Sequence, residues 1–342
     1  STQSGSSRSE RRQGHEVTLF ASGDSVTSAR LISTCRRSLR LDPDCVDQFA
    51  HHLVMLEEVF RRGEDFDVIH FHVDYFHFPW SRRYPVRNVT TLHGRLDLPD
   101  LVPLYREYPE MPVVSISDSQ RKPLPWLNWV ATVHHGLPPD LHNCGERPSD
   151  YLMFLGRIAE EKRPDLAIEI AGRAGLPLKI AAKVDRADRE YFEQVVHPLL
   201  AQPHVEFLGE VDEEEKGKLL GGAYALLFPI DWPEPFGMVM IEAMACGTPT
   251  IAFRRGSVPE VMVDGRTGFV CDSVDDAVAA VGRLPEIPRR EVRRVFEERF
   301  TAERMARDYI AIYGRLLTED CSDADARDAG PFLDSGYGAA GR

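Results

Sequence analysis

Glu234 and Glu242 stand with seven residues between them in the stretch Asp231 to Pro249, DWPEPFGMVMIEAMACGTP. Pro233 and Pro235 keep the approach extended. Gly237 then frees the turn. The backbone N–H groups of Gly237, Met238 and Val239 can open a helix without intrahelical partners, with the positive end of the dipole exposed. Such an end holds anions. Two flanking carboxylates suit a ligand that carries hydroxyls as well as phosphates: the glutamates accept from sugar or ribose hydroxyls while the amides take the phosphate. A second cluster, GRIAEEK at Gly156 to Lys162, offers Arg157 as a planar fork and Lys162 as a point charge, a complementary pair for a diphosphate. Alone, an arginine and a lysine beside two glutamates are an ordinary solvated surface. The neighbouring helix end is what turns them toward a ligand. Lys183, closing another apolar run, is a further phosphate candidate.

These residues need elements to hold them. The apolar runs Ala223 to Ile230 and Thr250 to Phe253 read as buried strands with the Gly237 helix between them. The same alternation surrounds them: strands at 151–155, 178–182, 205–208 and 268–271, helices at 164–174, 188–200, 213–221, 258–263, 275–284 and 289–299. The first part of the chain repeats it more loosely, with strands at 15–24, 66–73, 89–92, 113–117 and 130–133 and helices at 46–62 and 101–108. Helical or looping connections between strands predict an α/β protein with parallel sheets covered on both faces, in two doubly wound, Rossmann-like domains. The expected division is a first domain over 1–138, a proline-rich linker over 139–149 and a second domain over 150–300. A helix over 301–317 and a disordered acidic, then glycine-rich tail over 318–342 follow.

In the first domain, His70 and His72 fall at strand spacing with His77 nearby. They are either metal ligands or histidines hydrogen-bonded at a strand end, and the second reading is favoured because no further ligand follows at metal spacing. His93 and Gly94 close the next strand. Asp42, Pro43 and Asp44 form a D-x-D string that reads as turn chemistry, so no metal is expected.

The 342 residues are 43% hydrophobic and 28% charged, as in a soluble globular protein. The net charge of −13 argues against nucleic acid as a partner. Six scattered cysteines without a CxxC pair fit a reducing compartment, and no secretory signal or membrane-spanning run is visible, which points to the cytoplasm and leaves peripheral membrane contact open.

The EPFG opening, the EAMACGTP continuation, GRIAEEK, VEFLGEV at Val205 to Val211 and GSVPEVMVDGRTGFV at Gly256 to Val270 together resemble the family-4 retaining glycosyltransferases, over most of residues 150–285. The resemblance implies a GT-B fold of two facing Rossmann-like domains, with the 301–317 helix crossing back to the first. It implies a hexosyltransferase that takes a nucleoside-diphosphate sugar, retains configuration and uses neither metal nor cofactor. The acceptor, whether small molecule, glycan or lipid-linked, is not specified. By the same resemblance, Arg157 and Lys162 hold the pyrophosphate, Glu234 orients the sugar and Glu242 binds the ribose. Gly156, Phe236, Gly237, Met238 and Val239 complete the donor subsite, the base lies near Val211, and His93 contacts the sugar from the opposite domain. The family places a first strand, a glycine-rich loop and a helix before the strand at 16–22. Polar residues stand there in this chain, so the expectation is an altered N-terminus with retained donor binding, reduced turnover and self-association through the first domain. A nucleotide-sugar epimerase and a sugar-nucleotide-binding relative without turnover are the rival readings.

Overall fold

The computed structural model describes residues 14–145 and 148–323. The replaced strand expected in residues 1–13 and the part of the expected disordered tail beyond residue 323 lie outside the described residues.

The second half forms one six-stranded parallel sheet from β7 (Leu152–Arg157), β8 (Leu178–Lys183), β9 (Val205–Gly209), β10 (Ala225–Phe228), β11 (Thr250–Phe253) and β12 (Gly268–Cys271), in the order β12-β11-β10-β7-β8-β9. β10 and β11 are buried along their whole length, as a sheet covered on both faces requires. The first half supplies a four-stranded parallel sheet, β3 (Ile69–Phe71), β4 (Asn88–Thr91), β5 (Val113–Ser115) and β6 (Trp129–Thr132), paired in chain order. Among the described residues β1 (Thr18–Phe20) and β2 (Arg30–Ile32) pair only with each other. Between β1 and β3 lies a cavity of about 440 Å³, lined by Phe20, Leu56, Val59, Phe66, Ile69 and Phe71 among others.

Local chemistry fixes the helix ends. α1 (Gln48–Arg61) starts two residues later than expected, because the Asp47 carboxylate accepts from the Phe49 and Ala50 amides. Val46, expected in its core stripe, is therefore outside the helix and 99% exposed. The helices that matter for the site are α2 (Leu101–Glu107), α3 (Asp118–Arg121), α4 (Pro164–Ala174), α5 (Glu213–Gly222), α6 (Met238–Ala245) and α7 (Val258–Val261). They are followed by α8 (Val274–Arg283), α9 (Arg289–Arg299) and α10 (Ala302–Asp323). The single helix expected over 188–200 is interrupted by a π turn at Phe192–Val196, which ends two residues before Pro198 takes an amide donor out of the ladder. α10 runs past the expected end at Leu317 into residues assigned to the tail.

Two features tie the halves together. Leu137 donates to the Phe300 carbonyl at 2.9 Å and accepts from the Ala302 amide at 2.8 Å, and a Cβ on Gly136 would lie 2.3 Å from the Thr301 carbonyl oxygen, so only glycine fits there. α10 then packs Met305, Tyr309 and Ile312 on Val89, Val114 and Val133 of the first sheet.

Candidate active site

The order of the large sheet reverses between β7 and β10. The chain leaves β7 toward β8 on one side and β10 toward β11 on the other, which opens a crevice at their carboxyl ends. GRIAEEK is the continuation of β7, and the Glu234 loop is the continuation of β10. The two are laced together by the Asp231 amide, which donates to the Glu161 carbonyl at 2.9 Å. The Lys162 ammonium hydrogen-bonds a Glu234 carboxylate oxygen, to which Trp232 Nε1 also donates at 3.1 Å. Lys162 Nζ further lies 4.8 Å from the centroid of the Trp232 ring. Glu234 is only 8% exposed. Its backbone is held as well, since its carbonyl accepts from the Ser257 amide at 3.0 Å and a Cβ on Gly256 would come within 2.3 Å of its nitrogen.

Gly237 precedes α6 at φ 79°, the left-handed region, and a Cβ there would sit 2.7 Å from Met240 Cε and 3.2 Å from the Phe228 ring. The Met240 amide donates back to the Gly237 carbonyl at 3.0 Å, while those of Met238 and Val239 lie ahead of the first intrahelical bond. α6 buries Met240, Ile241, Ala243, Met244 and Ala245. Its half-buried residues are Met238, Val239 and Glu242, spaced i, i+1 and i+4, so they form one open face that starts at the helix end.

The other cations are engaged by carboxylates. Arg157 reaches Glu161 at 2.6 Å and Asp188 at 3.5 Å, and Lys183 pairs with Asp185 at 2.8 Å. Sequence order alone presented both as open to a ligand; Glu161 of the same motif and the turn after β8 supply their counter-ions. Gly156 lies within β7 opposite Ala182, and Val211 packs against the buried cluster that holds Met153, Ala181, Leu220, Leu226 and Ala243.

Across the crevice, His93 follows β4 and its Nε2 shares a hydrogen bond of 2.8 Å with His72 Nδ1. The His93 ring stacks on His135 at 5.3 Å with 4° between planes, and His135 meets Phe236 edge-on at 4.9 Å. A row of rings thus runs from His93 to a residue two beyond Glu234. Burial pushes His93 down to about 4, so it is neutral at pH 7 and donates from one nitrogen only. His70 bonds Thr91 and Tyr313, each at 2.8 Å, and His77 bonds Ser81 and Thr90 at 2.7 and 2.6 Å. Among the described residues no three His, Cys, Asp or Glu side chains converge to hold a metal ion. In the D-x-D string the Asp44 amide donates to Asp42 Oδ1 at 3.1 Å, a local turn.

Some site residues are absent from the sequence reading. Asp74 has a left-handed backbone at φ 47°, and the His93 backbone amide near its carboxylate favours the charged form. Burial raises its pKa, and no cation pairs with it among the described residues. A carboxylate two residues past a strand-end histidine was the available signal. Lys216, on α5, bonds Glu242 at 2.8 Å; nothing in its position on a polar helix advertises this. Ser117 donates from Oγ to the Pro235 carbonyl at 2.5 Å across the domain boundary.

Residues 146–300 match the family described as Glycosyl transferases group 1. Those residues resemble a group 1 glycosyl transferase domain. The N-acetyl-alpha-D-glucosaminyl L-malate synthase of Bacillus anthracis is 33% identical to the chain over 135 residues, which are 37% of this chain and 35% of that protein. The chain thus spans about a third of the length of that curated relative. Two solved structures share the fold with the glycosyl transferase domain and the sheet before it. AviGT4, a glycosyltransferase involved in avilamycin A biosynthesis, has a TM-score of 0.69 at 22% identity and covers 92% of this chain and 88% of its own. Anabaena Alr3699/HepE in complex with UDP and glucose has a TM-score of 0.66 at 14% identity, covering 83% and 86%. The fold is therefore that of the GT-B glycosyltransferases, with two parallel-sheet domains. The epimerase alternative finds no support beside this family.

Proposed function

We propose that this protein is a retaining glycosyltransferase that moves a sugar from a nucleoside-diphosphate sugar to an acceptor hydroxyl without a metal. The observation that carries the reading is the placing of Glu234, held by Lys162, at the switch point of the sheet. It stands three residues before Gly237 at the open end of α6, and Phe236, two residues on, meets His135 of the His93–His135 stack. In this reading the diphosphate lies at the Met238 and Val239 amides, with Lys162 and Arg157 opposing its charge as the leaving group departs. Binding requires Arg157 to exchange a carboxylate for the phosphate. Glu234 accepts from sugar hydroxyls. The bond from the anomeric carbon to the phosphate oxygen breaks with its electron pair on the phosphate. The acceptor oxygen bonds the anomeric carbon on the same face, and the acceptor proton passes to the departing phosphate. The complex of Alr3699/HepE with UDP and glucose makes UDP-glucose the first donor to test.

A second reading, donor binding with little turnover, is favoured by one observation: β1 and β2 stand apart from the four-stranded sheet across the cavity. Transfer needs both domains around the acceptor, whereas donor binding rests on the second. A thermal-shift series with UDP-, GDP- and ADP-glucose in excess EDTA tests the site, since a ligand of the native state raises the melting temperature. The expected result is a rise with at least one of them. No rise without EDTA overturns the donor site, and a rise that needs magnesium or manganese overturns metal independence. NMR of the product in a transfer assay then separates the two readings and reports the anomer.

A further inference from the structure

Glu242 projects from the one open face of an otherwise buried helix, so its carboxylate has lost most of its water. A buried carboxylate must find a partner or give up its charge. The partner is Lys216, whose ammonium donates to Glu242 Oε1 at 2.8 Å from the neighbouring α5. Lys216 is itself steadied on its far side by Glu213 at 2.9 Å, one helical turn earlier on the same element. Although burial opposes its charge, these two carboxylates outweigh it and hold Lys216 above its ordinary pKa. Glu242 Oε2 has no hydrogen bond among the described residues, and it lies on the same face as the open amides of Met238 and Val239.

We infer that Lys216 is a positioning residue that clamps one oxygen of Glu242 and so presents the other to a ribose hydroxyl, making this subsite selective for ribonucleotides over deoxyribonucleotides. The inference rests on the donor reading above and adds what enforces it. The clamp does two things a free glutamate would not: it sets a positive charge against one carboxylate oxygen in a half-dry place, and it fixes the rotamer. An ionised acceptor forms the stronger hydrogen bond. A merely structural lysine would stabilise α5 against α6 and leave the preference for ribose untouched.

The test is calorimetric binding of UDP, GDP and ADP, each beside its 2′-deoxy and 3′-deoxy counterpart, to the wild type, Lys216→Met, Lys216→Arg and Glu242→Ala. In the wild type the ribonucleotide that binds should be preferred by about tenfold or more, the discrimination given by one hydrogen bond to a charged group. Lys216→Met should lower that preference to about twofold or less, as Glu242→Ala does, while Lys216→Arg retains most of it. In the Glu242→Ala background, Lys216→Met should change the preference no further. Circular dichroism melting establishes that each variant folds, and Lys216→Gln replaces Lys216→Met should that variant unfold. A preference unchanged in a folded Lys216→Met or Lys216→Gln protein overturns the role of Lys216, as does an equal loss for ribo and deoxy forms. A wild type that binds a nucleotide without preference overturns the role of Glu242 instead. A wild type that binds none of the three overturns the donor reading and this inference with it.

Discussion

Glu260 of α7 caps α3 across the domain boundary: its Oε1 accepts from the Asp118 amide at 2.5 Å and its Oε2 from the Ser119 amide at 3.1 Å. His134 adds a third contact at 3.3 Å. A carboxylate of the second domain thereby supplies what the first turn of a helix in the first domain lacks. Burial works against this charge, but the His134 bond and the two amides outweigh it and hold Glu260 below the ordinary glutamate range.

Glu260→Gln should therefore lower stability by about 1–2 kcal/mol at pH 7, the scale of a charged hydrogen bond. The sign of the pH dependence is fixed by the direction of the shift. A depressed native pKa contributes stability above the unfolded value of about 4.5, and this is lost as pH falls through the native value. Melting curves of wild type and variant should converge below that range. A gap that persists in acid would mean the glutamine disturbs packing and not the cap.

Lys162 and Glu234 should behave as a unit. Lys162→Ala leaves a mostly buried carboxylate without its cation, at an expected cost of about 2–4 kcal/mol, somewhat discounted because both side chains keep some solvent contact. Lys162→Met with Glu234→Gln removes both charges and should recover most of that stability. In the proposed reading it should not recover nucleotide affinity, because there Lys162 opposes the diphosphate and Glu234 accepts from the sugar. Denaturant melts paired with UDP calorimetry read the two quantities separately, and a double variant that binds like wild type would remove this pair from the site.

How legible this was in the sequence depended on whether a signal was local. α4 spans Pro164–Ala174 as expected, because Pro164 opens it and Gly175, at φ 69°, closes it. β11 and β12 likewise coincide with their apolar runs. β2 was not foreseen: three residues, Arg-Leu-Ile, give no period to read, and only pairing with β1 makes them a strand. The site divides in the same way. The turn at Gly237 is written in its own glycine and prolines, and the meeting of Lys162 with Glu234 follows once the motif order is placed on a switched sheet. The clamp of Lys216 on Glu242 and the cap of Glu260 on α3 join elements whose packing no spacing encodes. Arg157 was read as free because Asp185 and Asp188 look like ordinary turn residues until β8 brings them beside it.

The histidines at the strand ends should make the protein acid-labile. Burial holds His70, His77 and His135 down to about 3 and His93 to about 4, while an unfolded histidine titrates near 6.5. The unfolded chain thus binds more protons once pH drops below about 6.5, and stability falls from there with a slope of about 1.4 kcal/mol per pH unit for each such histidine. Urea midpoints should decline steeply between about pH 6 and pH 4.5. His77→Gln, which keeps a polar group between Ser81 and Thr90, should flatten the decline by about one proton. An unchanged slope in that variant would show that His77 titrates normally in the native state.

The first sheet should be weakest where β1 and β2 stand apart. Among the described residues β1 is bonded to β2 alone, β3 presents its other edge to the cavity, and the apolar groups between them include Phe20 and Phe66, which meet edge-on at 5.9 Å with no described strand over them. A two-stranded ribbon is marginal in water, because each residue it orders gains one neighbour where an internal strand gains two. The four consecutive strands from β3 to β6 have α10 packed on them through Met305, Tyr309 and Ile312. Local opening should follow that difference. In hydrogen exchange followed by mass spectrometry, peptides covering 18–32 should exchange about tenfold or more faster than those covering 113–132. If the proposed donor site is right, addition of UDP should protect residues 234–245 and leave 18–32 unchanged, since in that reading the nucleotide touches the second domain alone. Equal protection of 18–32 and 113–132 would mean that the gap between β1 and β3 is closed in solution, and the reading of donor binding with little turnover would lose its structural ground.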